Sequence, residues 1–301
     1  MAVAALEQSL SSRATPLYAY HHIVHNSGVV ESFQRRGVVF VESLDAIPYG
    51  STVVLSAHGV APRVYHEALS RNLEIIDTTC PLVTKVHVEA RRFASEGFSV
   101  VLIGHRGHDE VVGIEGEALG LIQTIESPTE IDQLLIPDPE RVAVLTQTTL
   151  GIDETSAVIE ALRSRFPKLR LPPKEDICYA TQNRQEALRA VLQECQLAIV
   201  LGSASSSNSQ RLHELAQKVG VRSALVDHLS QIDLTWFLGV RSVALTAGAS
   251  VPEGLVEEVL HWLRERFALK IEEKVFKRET VNFLLPASLL SPSHPASRRI
   301  A

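Results

Sequence analysis

The chain has 301 residues, 45% hydrophobic and 21% charged, which is ordinary for a globular protein and enough for two or three lobes. A net charge of −6 gives no sign of a general nucleic-acid binder, and no apolar run approaches the length of a membrane span. Three scattered cysteines make no disulfide framework and the N-terminus lacks a signal-peptide pattern, so a reducing cytoplasm is the expected compartment.

In chain order, "PLYAYHHIV", "VVFVES", "TVVLSAHG" and "LEIIDTTC" read as strands, followed by "SVVLIGH" and "VAVLTQTT". "LAIVLGS", "SALVDH" and "SVALTAGAS" complete the set. Most are apolar along their length, the pattern of parallel strands covered by helices on both faces. Helical segments lie between them. From Gln182 to Cys195, apolar residues at Ala187, Leu188, Val191, Leu192 and Cys195 fall on one face. Such alternation predicts an α/β fold. The Pro- and charge-rich "PKLRLPPKEDIC" reads as a link between lobes, and a second boundary is expected near Cys80 and Pro81. Residues 286–301 are Ser/Pro-rich without periodicity and are expected to be a disordered tail.

The strand tips carry the chemistry. They read "HHIVHN", "SAHG", "DTTC", "IGHRGHDE", "TQTT", "GSASSSNS" and "TAGAS". In open α/β sheets, ligands bind beyond the carboxyl ends of strands, where helix N-termini offer free N–H groups. "SASSSNS" supplies hydroxyls, an amide and backbone N–H groups at a helix start, which suits a phosphate. Each of these features has an ordinary structural reading. Ser207 or Asn208 could be a helix N-cap, Thr148 and Thr149 could be strand hydroxyls, and Glu110 could be a first-turn carboxylate favoured by the helix dipole. Four histidines at such tips (His25, His58, His105 and His108) weigh toward a shared pocket. With Arg106 the only cation there, the expected ligand is a diphosphate held by imidazoles, hydroxyls and amides, with no Walker-type loop.

The cysteines divide by position. Cys195 falls on the apolar helix face and reads as core. Cys80 and Cys178 each precede a predicted helix, with Thr181 as the expected cap of the second, and a thiolate is favoured at a helix N-terminus. Catalysis by a lone cysteine is possible, but two equivalent cysteines suggest shared metal ligation. Zinc would want four nearby ligands and no CxxC occurs. An iron–sulfur cluster tolerates wide spacing, though it normally takes three or four cysteines.

Taken in order, "HHIVHN", "SAHGV", "DTTCPLVTKVH", "IGHRGHDEVVG", "TQTTL", "DICYATQNRQ", "GSASSSNSQRL" and "TAGASVP" resemble the 4-hydroxy-3-methylbut-2-enyl diphosphate reductases over residues 1–285. The resemblance implies three small α/β lobes with parallel sheets around a central cavity. Their expected spans are 1–80, completed by 265–285, then 81–174 and 175–264. It implies a [4Fe-4S] cluster with Cys80 and Cys178 as two of its three ligands. It further implies that His25, His58, His108, Ser206, Ser207, Asn208 and Ser250 hold a diphosphate, and that Glu110 and Thr148 deliver protons. The implied reaction is reductive dehydroxylation of an allylic diphosphate, with a ferredoxin or flavodoxin as electron donor, in the cytoplasm or a plastid-like compartment. Two departures stand out. Asp109 occupies a position where proline is common. The family also opens with a strand and a "GFCAGV" motif carrying the first cluster cysteine, whereas this sequence begins "MAVAALEQSL", similar to the helix that follows that motif. The expectation is that Met1 is an internal methionine of a longer frame. The alternatives are a truncated, non-catalytic remnant that keeps the diphosphate pocket, or a different three-lobed iron–sulfur enzyme.

Overall fold

The computed structural model describes residues 1–13, 15–279, 281 and 283–290. Its first part comprises helix α1 (Ala2–Ser12), strand β1 (Leu17–Tyr20), α2 (Ser27–Arg35), β2 (Val38–Val41), β3 (Thr52–Leu55), α3 (Pro62–Ser70) and β4 (Glu74–Asp77). The four strands form one parallel sheet in the order β2-β1-β3-β4, with Ala19 paired to Phe40 on one side and Val54 on the other. The two-residue period of the strands divides the core. Leu17, Ala19, Val54 and Ile76 face α1 and α2 with Leu6 and Phe33, while Val53 and Leu55 pack with Val64 and Ala68 of α3.

The second part runs through α4 (Pro81–Ser95), β5 (Ser99–Ile103), α5 (Asp109–Glu115), β6 (Ile122–Ile125), β7 (Val142–Thr146) and α6 (Ile152–Arg165), in a parallel sheet ordered β6-β5-β7. The third has α7 (Tyr179–Leu192), β8 (Leu197–Leu201), α8 (Ser207–Lys218), β9 (Arg222–Val226), β10 (Val243–Ala247) and α9 (Glu253–Arg266), in a parallel sheet ordered β10-β8-β9. Every residue of β7 and β8 except Thr146 is an apolar core residue, as a strand buried on both faces requires.

Strand β6 escaped the sequence reading because it is a half-exposed edge strand. Of "IQTI", only Ile125 is fully buried. The segment 167–178 does more than connect lobes. Arg170 bridges to Ala143, with Arg170 N–H donating to Val142 (2.9 Å) and Val144 N–H donating to Arg170 (3.0 Å), so this segment covers the open edge of β7. From residue 267 to 279 the chain is irregular. Of the expected tail, Ala287–Leu290 forms a short helix, α10, that sets Leu289 against the core beside α1, and residues 291–301 lie outside the described residues. Among the described residues, no helix is long and apolar enough to cross a membrane.

Parallel pairing puts all strand tips of a sheet at one end. Contacts between tips of different sheets show that the three ends converge. Cys178 N–H donates to Thr148 C=O at 2.8 Å, Ser250 Oγ to His25 C=O at 3.2 Å, and Ser27 Oγ to Asp227 at 2.6 Å.

Candidate active site

Two cysteines occupy twin junctions. Cys80 is the N-cap of α4 with φ −60° and ψ 133°, and Cys178 is the N-cap of α7 with φ −63° and ψ 129°. Each lies where an extended segment turns into a helix, so each thiol faces the free N–H groups of a first turn. The expected cap, Thr181, instead sits one turn inside α7, buried, and its hydroxyl accepts from Asn208 Nδ2 at 3.2 Å. The thiolate preference expected at Cys80 is overridden. Burial pushes its pKa up, the N–H groups of Leu82 and Val83 oppose that, and the charge of the neighbouring Cys178 pushes it further. A bound metal would reverse this by stabilising the thiolate. Cys195 lies just past the end of α7, which stops at Leu192, and packs against the core of the third sheet with Ser242 Oγ donating to its sulfur at 3.5 Å.

Glu110 is the second residue of α5 and is only 1% exposed. Its carboxyl accepts from Thr148 N–H at 2.7 Å and from Thr148 Oγ1 at 3.1 Å, which joins the tips of β5 and β7. Burial raises its pKa to about 7, against the two Thr148 hydrogen bonds and with help from the charge of Asp176. A group that loses its proton near neutrality inside a dry pocket is suited to proton transfer. Asp176, absent from the sequence reading, is itself buried between Lys85 Nζ (2.9 Å) and Thr146 N–H (3.0 Å). Gln147 was likewise missed. It is fully buried and ties His105 N–H (3.0 Å) to the Thr149 hydroxyl (2.9 Å). No local pattern marks a residue whose partners are distant in sequence.

Three of the four predicted histidines form one cluster. His25 and His58 stack with centroids 4.1 Å apart, and His108 stands edge-on to them at 5.1 and 5.7 Å. Burial drives all three to the neutral form: the pKa of His25 is lowered, that of His58 is lowered strongly by burial and by the other two rings, and that of His108 is about 4. His25 Nε2, His58 Nδ1 and His108 Nε2 are buried without a hydrogen-bond partner. Unpaired buried imidazole nitrogens are costly, and a ligand is the usual reason for them. The fourth, His105, points elsewhere and meets the Arg211 guanidinium at 2.9 Å.

The serine loop closes the site from the third sheet. Ser206 is the N-cap of α8, accepting from Ser209 N–H at 3.3 Å, and Ser207 and Asn208 follow in the first turn. The Asn208 amide is fixed on both sides, by Thr181 and by Ala249 N–H (2.9 Å) in the loop that carries Ser250. Beside Ser207 and His108 lies a cavity of about 230 Å³, also lined by His105, Ser205 and Arg211. Gly202 lets the loop pass this close to α8. Its φ is +148°, and a Cβ there would stand 2.1 Å from Ser209 Oγ, a hydroxyl already held by Ser206 at 3.1 Å. Gly202→Ala should therefore destabilise the protein by about 1–3 kcal/mol, read from the midpoint of urea unfolding. An unchanged midpoint would mean that the loop has slack the packing does not show.

All the predicted site residues thus gather at the convergent strand tips: two thiols, a buried carboxyl with its hydroxyl partner, three neutral imidazoles, and a helix N-terminus rich in hydroxyls. The arrangement combines soft metal donors, a proton donor and an anion seat.

Comparison with known proteins follows the same lines. The LytB protein family model matches residues 1–264. A 4-hydroxy-3-methylbut-2-enyl diphosphate reductase of Acidothermus cellulolyticus is 52% identical over 289 residues, covering 96% of this chain and 85% of that protein. That of Mycobacterium leprae is 49% identical, covering 96% and 88%. The solved structure of the E-1-hydroxy-2-methyl-but-2-enyl-4-diphosphate reductase from Plasmodium falciparum superposes with a TM-score of 0.93 at 34% identity, covering 96% of this chain and 92% of that one.

Proposed function

The chain belongs to the LytB protein family, and we propose that the residues gathered at its strand tips carry out the reaction of that family. The activity is reduction of 4-hydroxy-3-methylbut-2-enyl diphosphate, a reductive dehydroxylation that gives isopentenyl and dimethylallyl diphosphates. The observation that carries the assignment of roles is Glu110, a buried carboxyl with a pKa near 7 held by Thr148 between the thiols and the imidazoles.

The donor chemistry of Cys80 and Cys178 fits an iron–sulfur cluster. Both are unpaired by disulfide, both cap helices, and each is close enough to affect the other's charge. We assign them as ligands of a [4Fe-4S] cluster, while the core packing of Cys195 sets it apart from that role. When bound, such a cluster supplies electrons and Lewis acidity for breaking the allylic C–O bond. A ferredoxin or flavodoxin fits as the electron donor, and the cytoplasm as the compartment.

The chain's own groups do the rest. Two protons and two electrons must enter as the hydroxyl departs as water. Glu110 gives a proton to the leaving oxygen through the Thr148 hydroxyl, and its burial keeps that proton in place near neutrality. His25, His58, His108, Ser206, Ser207, Asn208 and Ser250 bind the diphosphate, and so fix where the allylic oxygen lies. Neutral imidazoles bind an anion best by taking up protons. The negative charge of a diphosphate raises pKa values that burial has lowered.

This gives a signed pH dependence. Binding of inorganic pyrophosphate at pH 7 should take up protons, measured calorimetrically in two buffers of different ionisation enthalpy; no uptake, or release, would contradict the imidazole role. For the free protein the sign follows from the same lowering. Below about 6.5 an unfolded histidine binds a proton that the folded site refuses, so stability falls as pH drops from there toward the His108 value of about 4.

A further inference from the structure

We propose that His25, His58 and Asp109 form a binding site for a divalent transition-metal ion of the zinc class, at the diphosphate seat of this chain. One donor atom from each residue lies within 4.8 Å of the other two. Two come from the tips of β1 and β3, and the third from the first turn of α5, so the ion would bridge two sheets.

The rings are prepared for it. His25 Nε2 and His58 Nδ1 are buried with no hydrogen-bond partner, and both rings are held neutral, the form that ligates. Asp109 completes the set. One of its oxygens accepts from His21 Nδ1 at 2.7 Å, and the other stands 3.8 Å from His58 Nδ1. That is the arrangement of a ligating carboxylate oriented by a neighbour behind it. His108 Nε2, also unpaired, is at hand beside the stacked rings as a further donor.

The donor set decides the class of ion. Two imidazoles and one carboxylate suit zinc and its neighbours, whereas magnesium and calcium want oxygen ligands. A metal with three protein ligands keeps a vertex for water or a phosphate oxygen. The site also accounts for Asp109, at the position where the resembling family commonly has proline. Alone among anion-binding imidazoles, a carboxylate repels a diphosphate; with a dication beside it, the local charge is positive. Only the overlap with the diphosphate rests on the functional reading above. The ion site itself stands on its own geometry.

The test is titration of the cluster-loaded protein with zinc chloride against a chromophoric chelator, without diphosphate, followed by cobalt(II) spectroscopy. Wild type should bind one equivalent that Asp109→Asn and Asp109→Pro each weaken by about tenfold to a hundredfold or more, with His21→Ala weakening it by about tenfold. The cobalt complex should lack an intense thiolate charge-transfer band. Equal zinc affinity in wild type and both Asp109 variants would overturn the site, as would a thiolate band abolished by Cys80→Ser. Pyrophosphate binding, measured separately, keeps the two readings apart. Its absence in wild type would strike the diphosphate assignment, while the zinc titration alone decides the metal site.

Discussion

Glu110→Gln should lower kcat by about a hundredfold to ten-thousandfold, the usual range for removing a positioned proton donor. Glutamine keeps the shape of the side chain, and its amide oxygen can still accept from Thr148 N–H, so the junction between β5 and β7 should stay formed. What is lost is an acidic proton in a pocket where burial raises the carboxyl pKa to about 7. Binding of inorganic pyrophosphate and the iron content should stay within about threefold of wild type. A parallel loss of binding and turnover would make Glu110 a structural strut. The pH profile gives an independent check, because kcat should fall as pH rises through about 7, when Glu110 ionises.

Cys80→Ser and Cys178→Ser should each remove most of the bound iron and sulfide after anaerobic reconstitution, and with them the turnover. The hydroxyl is close in size but is a poor ligand for soft iron. Both residues cap their helices through backbone geometry with no hydrogen bond from the side chain, so α4 and α7 should keep their starts. Cys195→Ser is the control. Its sulfur only accepts a weak contact from Ser242 and packs on Leu188 and Leu192, so iron content should hold. Retained iron in Cys80→Ser and Cys178→Ser, or lost iron in Cys195→Ser, would move the cluster site.

Much of this was legible in the residues, for physical reasons. Strands such as β7 and β8 are apolar throughout because both faces are buried, so their positions and their polar tips stand out in the text of the chain. Parallel pairing then fixes that all tips of a sheet share one end, which places His25, His58 and Cys80 together before any coordinates are known. Strand β6 was not legible, because a half-exposed edge strand carries no continuous apolar signal. Thr181 reads as a helix cap by its type, yet backbone geometry gives that place to Cys178, and the threonine is drawn inward by Asn208 from another element. The pairing of Asp109 with His21 spans 88 positions and the charge of Asp176 acts on Glu110 across the sheet. Such pairings depend on how three separate sheets meet, which periodicity within one strand or helix does not encode.

The most direct test of the functional account is turnover itself. The reconstituted protein, with a low-potential reductant under anaerobic conditions, should convert 4-hydroxy-3-methylbut-2-enyl diphosphate to isopentenyl and dimethylallyl diphosphates, followed by NMR, and Glu110→Gln should fail to do so with its iron and pyrophosphate binding intact. A fully loaded protein that leaves the allylic hydroxyl in place, or a Glu110→Gln variant as fast as wild type, would contradict it.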